Sequence, residues 1–274
     1  MSPDPSVSSQ PPATPTADDL AQAIKDRALS LHYQPIIDMK TKIVAGFEAL
    51  MRWSHPTLGN ISPGVFIPLA EETGLIVDAS KWALREACRA LKRIESRAGV
   101  DDELYMSVNF TPRDFSEDTF IFDLYNIISE SDVSPGQIQL EITEGLMLNQ
   151  PDNALSSLTM CRKAGMKISV DDCATSSTDL GYLSKYPTDS LKIDQIYIRR
   201  MGTDQETARL VNWIITTAQM MDKIPIAEGV ETEAEQDALL AAGCVYAQGY
   251  LYAKPLPEKE ATAYLLNSPL KGMD

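Results

Sequence analysis

Short apolar runs alternating with helical patterns constrain this chain more than any other feature. The strand-like runs are Leu104–Phe110, Ile138–Ile142, Met166–Val170, Ser190–Ile193, Ile224–Ala227 and Val245–Leu251. Helical spacing separates them at Phe120–Ser129, Ala154–Ala164, Ala208–Met221 and Glu233–Ala242. Strands joined by helices lie parallel, through right-handed crossovers. Upstream, Leu31–Asp38 and Lys42–Leu50 are joined by a turn too short for a crossover, which forces an antiparallel pair. Helices are expected over Asp18–Leu29, over Val65–Glu72 after a Ser62-Pro63 start, and over the amphipathic stretch Lys81–Arg97. The pattern predicts an α/β fold, a modified TIM-type (β/α)8 barrel whose first strand is antiparallel to the rest. A single domain over residues 18–268 is close to the about 250 residues common in such barrels.

Composition narrows the surroundings of that domain. Residues 1–17 hold five prolines and four serines with almost no apolar side chains, and read as a disordered tail or linker; 269–274 read as a C-terminal tail. The formal net charge is −15, which disfavours DNA or RNA duplexes and anionic lipid as partners. The longest mostly apolar run, Leu239–Ala247, is too short to span a bilayer, and no Lys or Arg precedes Lys25 to begin a secretory signal. Four cysteines without CxxC spacing argue against zinc ribbons and disulfide frameworks, so a cytoplasmic location is expected. Two histidines leave little for a His-rich metal site, and neither GxxxxGK nor a strand-linked GxGxxG is present.

Nearly every strand runs into a polar residue that packing does not require. These residues are Glu48, Asn109, Glu141, Asp171-Asp172, Lys192, Glu228 and Gln248. Any one of them alone reads as a helix cap or a solvated surface group. In a barrel, however, the C-terminal strand ends converge on one mouth, the face that carries catalysis. Carboxylates gathered there repel unless a cation neutralises them. Oxygen-only donors suit Mg²⁺ or Mn²⁺ rather than zinc, and a set this rich suits two ions, as in phosphodiester hydrolysis. A glycosidase would need two carboxylates but neither Lys192 nor Asn109.

The segment Glu48-Ala49-Leu50-Met51-Arg52-Trp53 resembles the signature of EAL-domain cyclic-di-GMP phosphodiesterases. Further blocks are similar to that family in the same order, among them Val108-Asn109-Phe110-Thr111-Pro112, Leu140-Glu141-Ile142-Thr143-Glu144, Leu191-Lys192-Ile193-Asp194 and Gln248-Gly249-Tyr250-Leu251. The likeness covers about residues 28–258. It implies hydrolysis of cyclic di-GMP to linear pGpG with two Mg²⁺ or Mn²⁺ ions, Ca²⁺ being inhibitory. By likeness, Glu48, Asn109, Glu141 and Asp171 hold one ion, while Asp171, Asp172 and Glu228 hold the other. Lys192 touches the attacking water, Gln248 lies near it, and Glu228 is also a candidate base. Gln34, Leu50, Arg52 and Asp194 contact substrate, and Glu144 anchors the loop after the Asp-Asp pair. The resemblance further implies a homodimer and attached or separate sensor or cyclase domains.

The chain departs from the family over Cys173–Asp179, where Ala174 and Ser176 replace glycines and Cys173 replaces an aromatic residue. A cyclic-di-GMP receptor with weak or no turnover is therefore the alternative reading. A protein–protein regulator that binds no nucleotide is a third.

Overall fold

The computed structural model describes residues 14–26, 28–100, 104–173 and 180–269. Most of the expected N-terminal tail, the altered loop from Ala174 to Asp179 and nearly all of the C-terminal tail lie outside the described residues.

The chain enters through α1 (Ala17–Lys25), held by a capping box between Thr16 and Asp19. The helix stops four residues short of the expected Leu29, because Leu29 already pairs with Trp53 in a long antiparallel hairpin. Its arms are β1 (Leu29–Asp38) and β2 (Val44–His55), and its turn is built on Asp38, whose Oδ1 accepts from the backbone N–H groups of Lys40 and Thr41 at 2.8 and 3.1 Å. Strand β2 runs past the expected end at Leu50, since Met51–Trp53 still pair with β1 and Trp53–His55 pair with a short β3 (Gly59–Ile61) that the sequence did not disclose. Two helices follow, α2 (Pro63–Thr73) and α3 (Ile76–Ala98); α3 begins five residues earlier than its amphipathic stretch suggested.

Alternation then sets in as expected. The elements are β4 (Tyr105–Phe110), α4 (Phe120–Ser129), β5 (Ile138–Thr143), α5 (Glu144–Asn149), α6 (Pro151–Lys163), β6 (Lys167–Cys173), β7 (Ser190–Ile193), α7 (Gln195–Met201), α8 (Gln205–Met220), β8 (Ile224–Ala227), α9 (Glu233–Ala241), β9 (Tyr246–Ala247) and α10 (Glu258–Leu266). The ring β1-β2-β4-β5-β6-β7-β8-β9 closes on itself, with β3 a flange outside it. Strand β1 is antiparallel to both neighbours, and every other adjacent pair in the ring is parallel. This is the barrel with a reversed first strand.

One strand is much shorter than expected. Strand β9 ends at Ala247 rather than Leu251, because the chain turns to lie on the β8–α9 loop. The Val230 amide donates to the Gln248 carbonyl at 3.1 Å and the Leu251 amide to the Val230 carbonyl at 2.9 Å. A Cβ on Gly249 would stand 2.1 Å from the Val230 carbonyl oxygen, so only glycine allows this approach.

Alternation along the strands divides their side chains between two surroundings. Met106, Val108, Phe110, Leu140, Ile142, Ile168, Val170, Leu191 and Ile193 belong to the apolar core, with at most 2% of their surface exposed. The opposite set points into the barrel and is largely polar, comprising Ser107, Asn109, Gln139, Glu141, Ser169, Asp171, Ser190 and Lys192. The outer layer supplies the hydrophobic stabilisation, which leaves the barrel interior free for chemistry.

Candidate active site

Strand stagger brings the polar residues of different strands to one level. Asn109 pairs with Glu141, Glu141 with Ser169, and Ser169 with Ser190. Asp171 and Lys192 therefore stand one inward step above Ser169 and Ser190. Lys192 pairs with Ile226, and Ile226 with Tyr246, so Glu228 and Gln248 again stand one step higher. Glu48, Glu141, Asp171 and Asp172 are thus positions within strands, and Glu228 follows the end of β8. Glu48 is mid-strand in β2, and Glu141 is in β5.

Asp171 and Asp172 are consecutive, and a regular strand would send them to opposite faces. The ladder between β6 and β7 is irregular between Val170 and Cys173, and Asp172 adopts a left-handed φ of 53°. This distortion lets both carboxylates serve the same mouth. Asp171, Asp172 and Glu228 each offer an oxygen within 4.8 Å of the other two.

At the centre is Lys192, fully buried. Its Nζ lies 3.1 Å from Glu48 Oε2, 2.9 Å from Glu141 Oε2, 2.5 Å from Glu228 Oε1 and 3.8 Å from Asp171 Oδ1. Two amides complete the surroundings of Glu48. Asn109 Nδ2 donates to Oε1 at 2.7 Å, and Gln248 Nε2 donates to Oε2 at 2.7 Å while also reaching Glu228 Oε1 at 3.2 Å. The buried Oε1 of Gln248 has no hydrogen-bond partner among the described residues.

The acids do not titrate alike. Burial pushes the Glu48 carboxyl up, but the Lys192 ammonium and the two amides outweigh it and hold the group at about 2. Burial, with the charges of Asp171 and Glu48, drives Glu228 up to about 8 against the pull of Lys192. Burial and the neighbouring Asp171 and Asp194 raise Asp172 to about 6. Glu141 and Asp171 are also raised, by burial first and by Glu48 next. Burial alone would lower Lys192, but four carboxylates raise it well above its usual range. One ammonium cannot balance five ionised acids in a buried site, so the metal-free cluster retains protons that a divalent cation would displace. The donor set is all oxygen and fits Mg²⁺ or Mn²⁺.

The expected substrate residues are less concentrated. Gln34 pairs with Glu48 across β1 and β2, yet its Nε2 donates to the Ala253 carbonyl at 3.2 Å. Leu50 and Arg52 continue the inward face of β2, and Arg52 Nη1 donates to the Met51 carbonyl at 2.8 Å. Asp194 caps α7, its Oδ1 accepting from the Ile196 amide at 2.6 Å. Glu144 opens α5, is buried, and accepts from the Tyr182 hydroxyl at 2.7 Å; its expected contact with the loop before residue 180 lies outside the described residues.

Sequence reasoning missed Ser107 and Gln139. Ser107 Oγ donates to Glu141 Oε1 at 2.5 Å, and Gln139 Nε2 donates to Ser107 Oγ at 3.2 Å. Their signal was period two, since each sits two residues before a singled-out residue, Asn109 or Glu141.

Fold and site together define a (β/α)8-type barrel with a reversed first strand and an acid-lined mouth around one lysine. The EAL domain family matches residues 17–255, and the chain belongs to that family. It is 36% identical over 245 residues to the bifunctional diguanylate cyclase/cyclic di-GMP phosphodiesterase MucR of Pseudomonas aeruginosa, covering 89% of this chain and 36% of that protein. The cyclic di-GMP phosphodiesterase NbdA of the same organism is 34% identical over 240 residues, covering 88% of this chain and 30% of NbdA. The chain thus spans about a third of the length of these curated relatives. The solved MucR phosphodiesterase in complex with c-di-GMP superposes with a TM-score of 0.84 at 36% identity, covering 89% of this chain and 98% of that one. The EAL enzyme Bd1971, in its form with cAMP and cyclic-di-GMP bound, gives a TM-score of 0.86 at 31% identity, covering 90% and 67%. Among the described residues no helix is long and apolar enough to cross a membrane.

Proposed function

We propose that this domain is a metal-dependent phosphodiesterase that opens cyclic di-GMP to linear pGpG. The carrying observation is the gathering of Glu48, Glu141, Asp171 and Glu228 around Lys192 at one mouth, in a chain whose relatives include proteins named for this activity. Asp171, Asp172 and Glu228 would hold one Mg²⁺ or Mn²⁺, and Glu48, Asn109 and Glu141 would hold a second that shares Asp171. The ions supply an acidified water and charge neutralisation at the phosphate.

The chain's own residues do the rest. Lys192 stays protonated among its carboxylates, orients the attacking water and offsets charge building on the phosphoryl oxygens. Gln248 donates from the same side and fixes the direction of Glu48 and Glu228. Arg52 pairs with a phosphate oxygen. Asp194 keeps one oxygen on the α7 cap and offers the other to the donors of a guanine edge. Water adds across one P–O bond, its oxygen joining phosphorus while a proton goes to the departing 3′ oxygen.

The test is nucleotide analysis after incubation with cyclic di-GMP and Mn²⁺. Accumulating pGpG, lost in a folded Glu48→Ala variant, supports the reading. No turnover with Mg²⁺ or Mn²⁺ in folded protein rejects it. The altered run from Cys173 to Asp179 favours the receptor as second reading; tight calorimetric binding with the nucleotide intact after long incubation would establish that instead. Sensor or cyclase partners and a homodimer belong to the same proposal, and light scattering with and without nucleotide tests the dimer.

A further inference from the structure

Below the acids, where the parallel strands begin, the barrel end carries an open cavity of about 660 Å³. That volume lies in the range of small-molecule sites, about 300–1,000 Å³. Barrels of this type usually fill their interior with bulky branched side chains. Here the inward positions Gly46, Ser107, Ser169 and Ser190 are small, and a Cβ on Gly46 would stand 2.5 Å from the Tyr105 carbonyl oxygen.

The cavity wall has a definite chemistry. Ile43, Val44, Leu104, Ile226 and the Tyr246 ring give it an apolar side, set among polar residues such as Gln139, Arg162 and Lys167. Thr188 and Ser190 also line it, with 8% and 2% of their surface exposed, and neither hydroxyl has a hydrogen-bond partner among the described residues. The wall carboxylates are mostly spent. Asp189 accepts from Arg162 Nη1 and from the Ile168 amide, both at 2.9 Å, and Asp38 accepts from the Lys40 and Thr41 amides. Asp222 is solvent-exposed. The Lys167 ammonium lies 5.5 Å from the centre of the Tyr105 ring and has no carboxylate within ion-pair distance among the described residues. Ser169 pairs with Ser190, so Lys167 and Thr188, each two residues earlier, come to one level on the same face. Two buried hydroxyls without a partner among the described residues and the Lys167 ammonium thus belong to residues that line one cavity.

We propose that this cavity is a second binding site, distinct from the acid-lined mouth, for a small amphipathic monoanion, namely a carboxylate with an apolar body. The head accepts from Ser190 and Thr188 and pairs with Lys167, while the body lies against Ile226 and Tyr246. This inference does not depend on the chemistry proposed for the upper mouth.

The experiment is calorimetric titration of the whole protein with naphthoate, and with naphthylmethanol as its uncharged counterpart. Naphthoate is expected to bind one to one, about tenfold tighter than the alcohol. Lys167→Met is expected to weaken it about tenfold, as is the pair Thr188→Val with Ser190→Ala. Because these hydroxyls have no partner to lose, the double variant should keep its unfolding midpoint, which separates a ligand role from a structural one. Glu48→Gln should leave naphthoate affinity unchanged. The proposal is overturned by absence of saturable binding, by equal affinity for the alcohol, by undiminished binding to Lys167→Met, or by loss of binding in Glu48→Gln.

Discussion

At the upper mouth a single buried ammonium meets four carboxylates, and the Asn109 and Gln248 amides are aimed at Glu48. At the lower end of the same strands, Thr188 and Ser190 hold hydroxyls with no partner among the described residues, beside a cavity of about 660 Å³. On β7 Ser190 and Lys192 are successive inward residues, so burial alone does not distinguish the ends. They differ in how far their polar groups are committed to one another. A committed buried charge is expensive to disturb, because removing one partner leaves the others desolvated and unpaired. An uncommitted hydroxyl has already met its desolvation cost and loses nothing further when deleted.

The largest expected effect follows at Lys192. Lys192→Met keeps the length of the side chain and removes the only cation the acids touch among the described residues. Without metal, stability should fall by about 3–5 kcal/mol in a denaturant titration. Added Mg²⁺ should recover much of that loss, because the ions replace the missing positive charge. Turnover should drop about 10²–10³-fold even with metal present, since transition-state charge is then stabilised less. A metal-free Lys192→Met protein as stable as the parent would break the contrast between the ends.

The pH dependence of metal-free protein sharpens it next. Glu228 is raised in the folded state from 4.5 to about 8 by burial and neighbouring carboxylates. The folded protein therefore binds that proton more tightly than the unfolded chain. Its contribution to stability is full below about pH 4.5 and is lost as pH rises through about 8. Glu48, held near 2, contributes with the opposite sign, its stabilisation being present above 4.5 and lost as pH falls toward 2. The thermal midpoint of chelator-treated protein should decline between about pH 5 and pH 8. Saturating Mn²⁺ should flatten that decline if the ionised acids are its ligands. Equal slopes with and without metal would detach the acids from ion binding.

These expectations draw on parts of the molecule that were unequally legible in the sequence. Strand–helix alternation disclosed the parallel barrel, and the short polar turn after Asp38 disclosed the reversed first strand. Glu48, Glu141, Asp171, Lys192 and Glu228 could be singled out because each interrupts an apolar run. The β2–β3 flange was missed because Ser54–His55 and Gly59–Ile61 gain strand character by pairing with each other. The end of β9 was misjudged because it depends on Val230, a residue of another loop. The irregularity that turns both Asp171 and Asp172 to the mouth leaves no trace in composition. Ser107 and Gln139 looked like filler, since a small polar residue inside a strand acquires meaning only from what stands on the next strand.

Those two residues give the comparison an intermediate case. Ser107 is as small as Ser190 and as deeply buried, but its hydroxyl is spent on Glu141 and supported by Gln139. Ser107→Ala should cost about 1–3 kcal/mol of stability, because a buried carboxylate oxygen then lacks its donor. Gln139→Leu should cost less, since Ser107 retains its proton and its acceptor. Guanidinium titrations of both variants give the order directly; a larger loss at Gln139 would place the support elsewhere.

The smallest effect is expected at Thr188. Thr188→Val preserves shape and replaces a buried hydroxyl that has no partner among the described residues with a methyl group. Removing a desolvated, unpaired group is neutral or stabilising, so the unfolding free energy should stay within about 0.5 kcal/mol of the parent or rise slightly. The informative quantity is its difference from Ser107→Ala, two hydroxyl deletions in one barrel at similar burial. If Thr188→Val loses as much as Ser107→Ala, ordered water satisfies the lower hydroxyl, and the lower end is as fully committed as the mouth. If it loses nothing, the donor is free in the resting protein and available to an incoming anion.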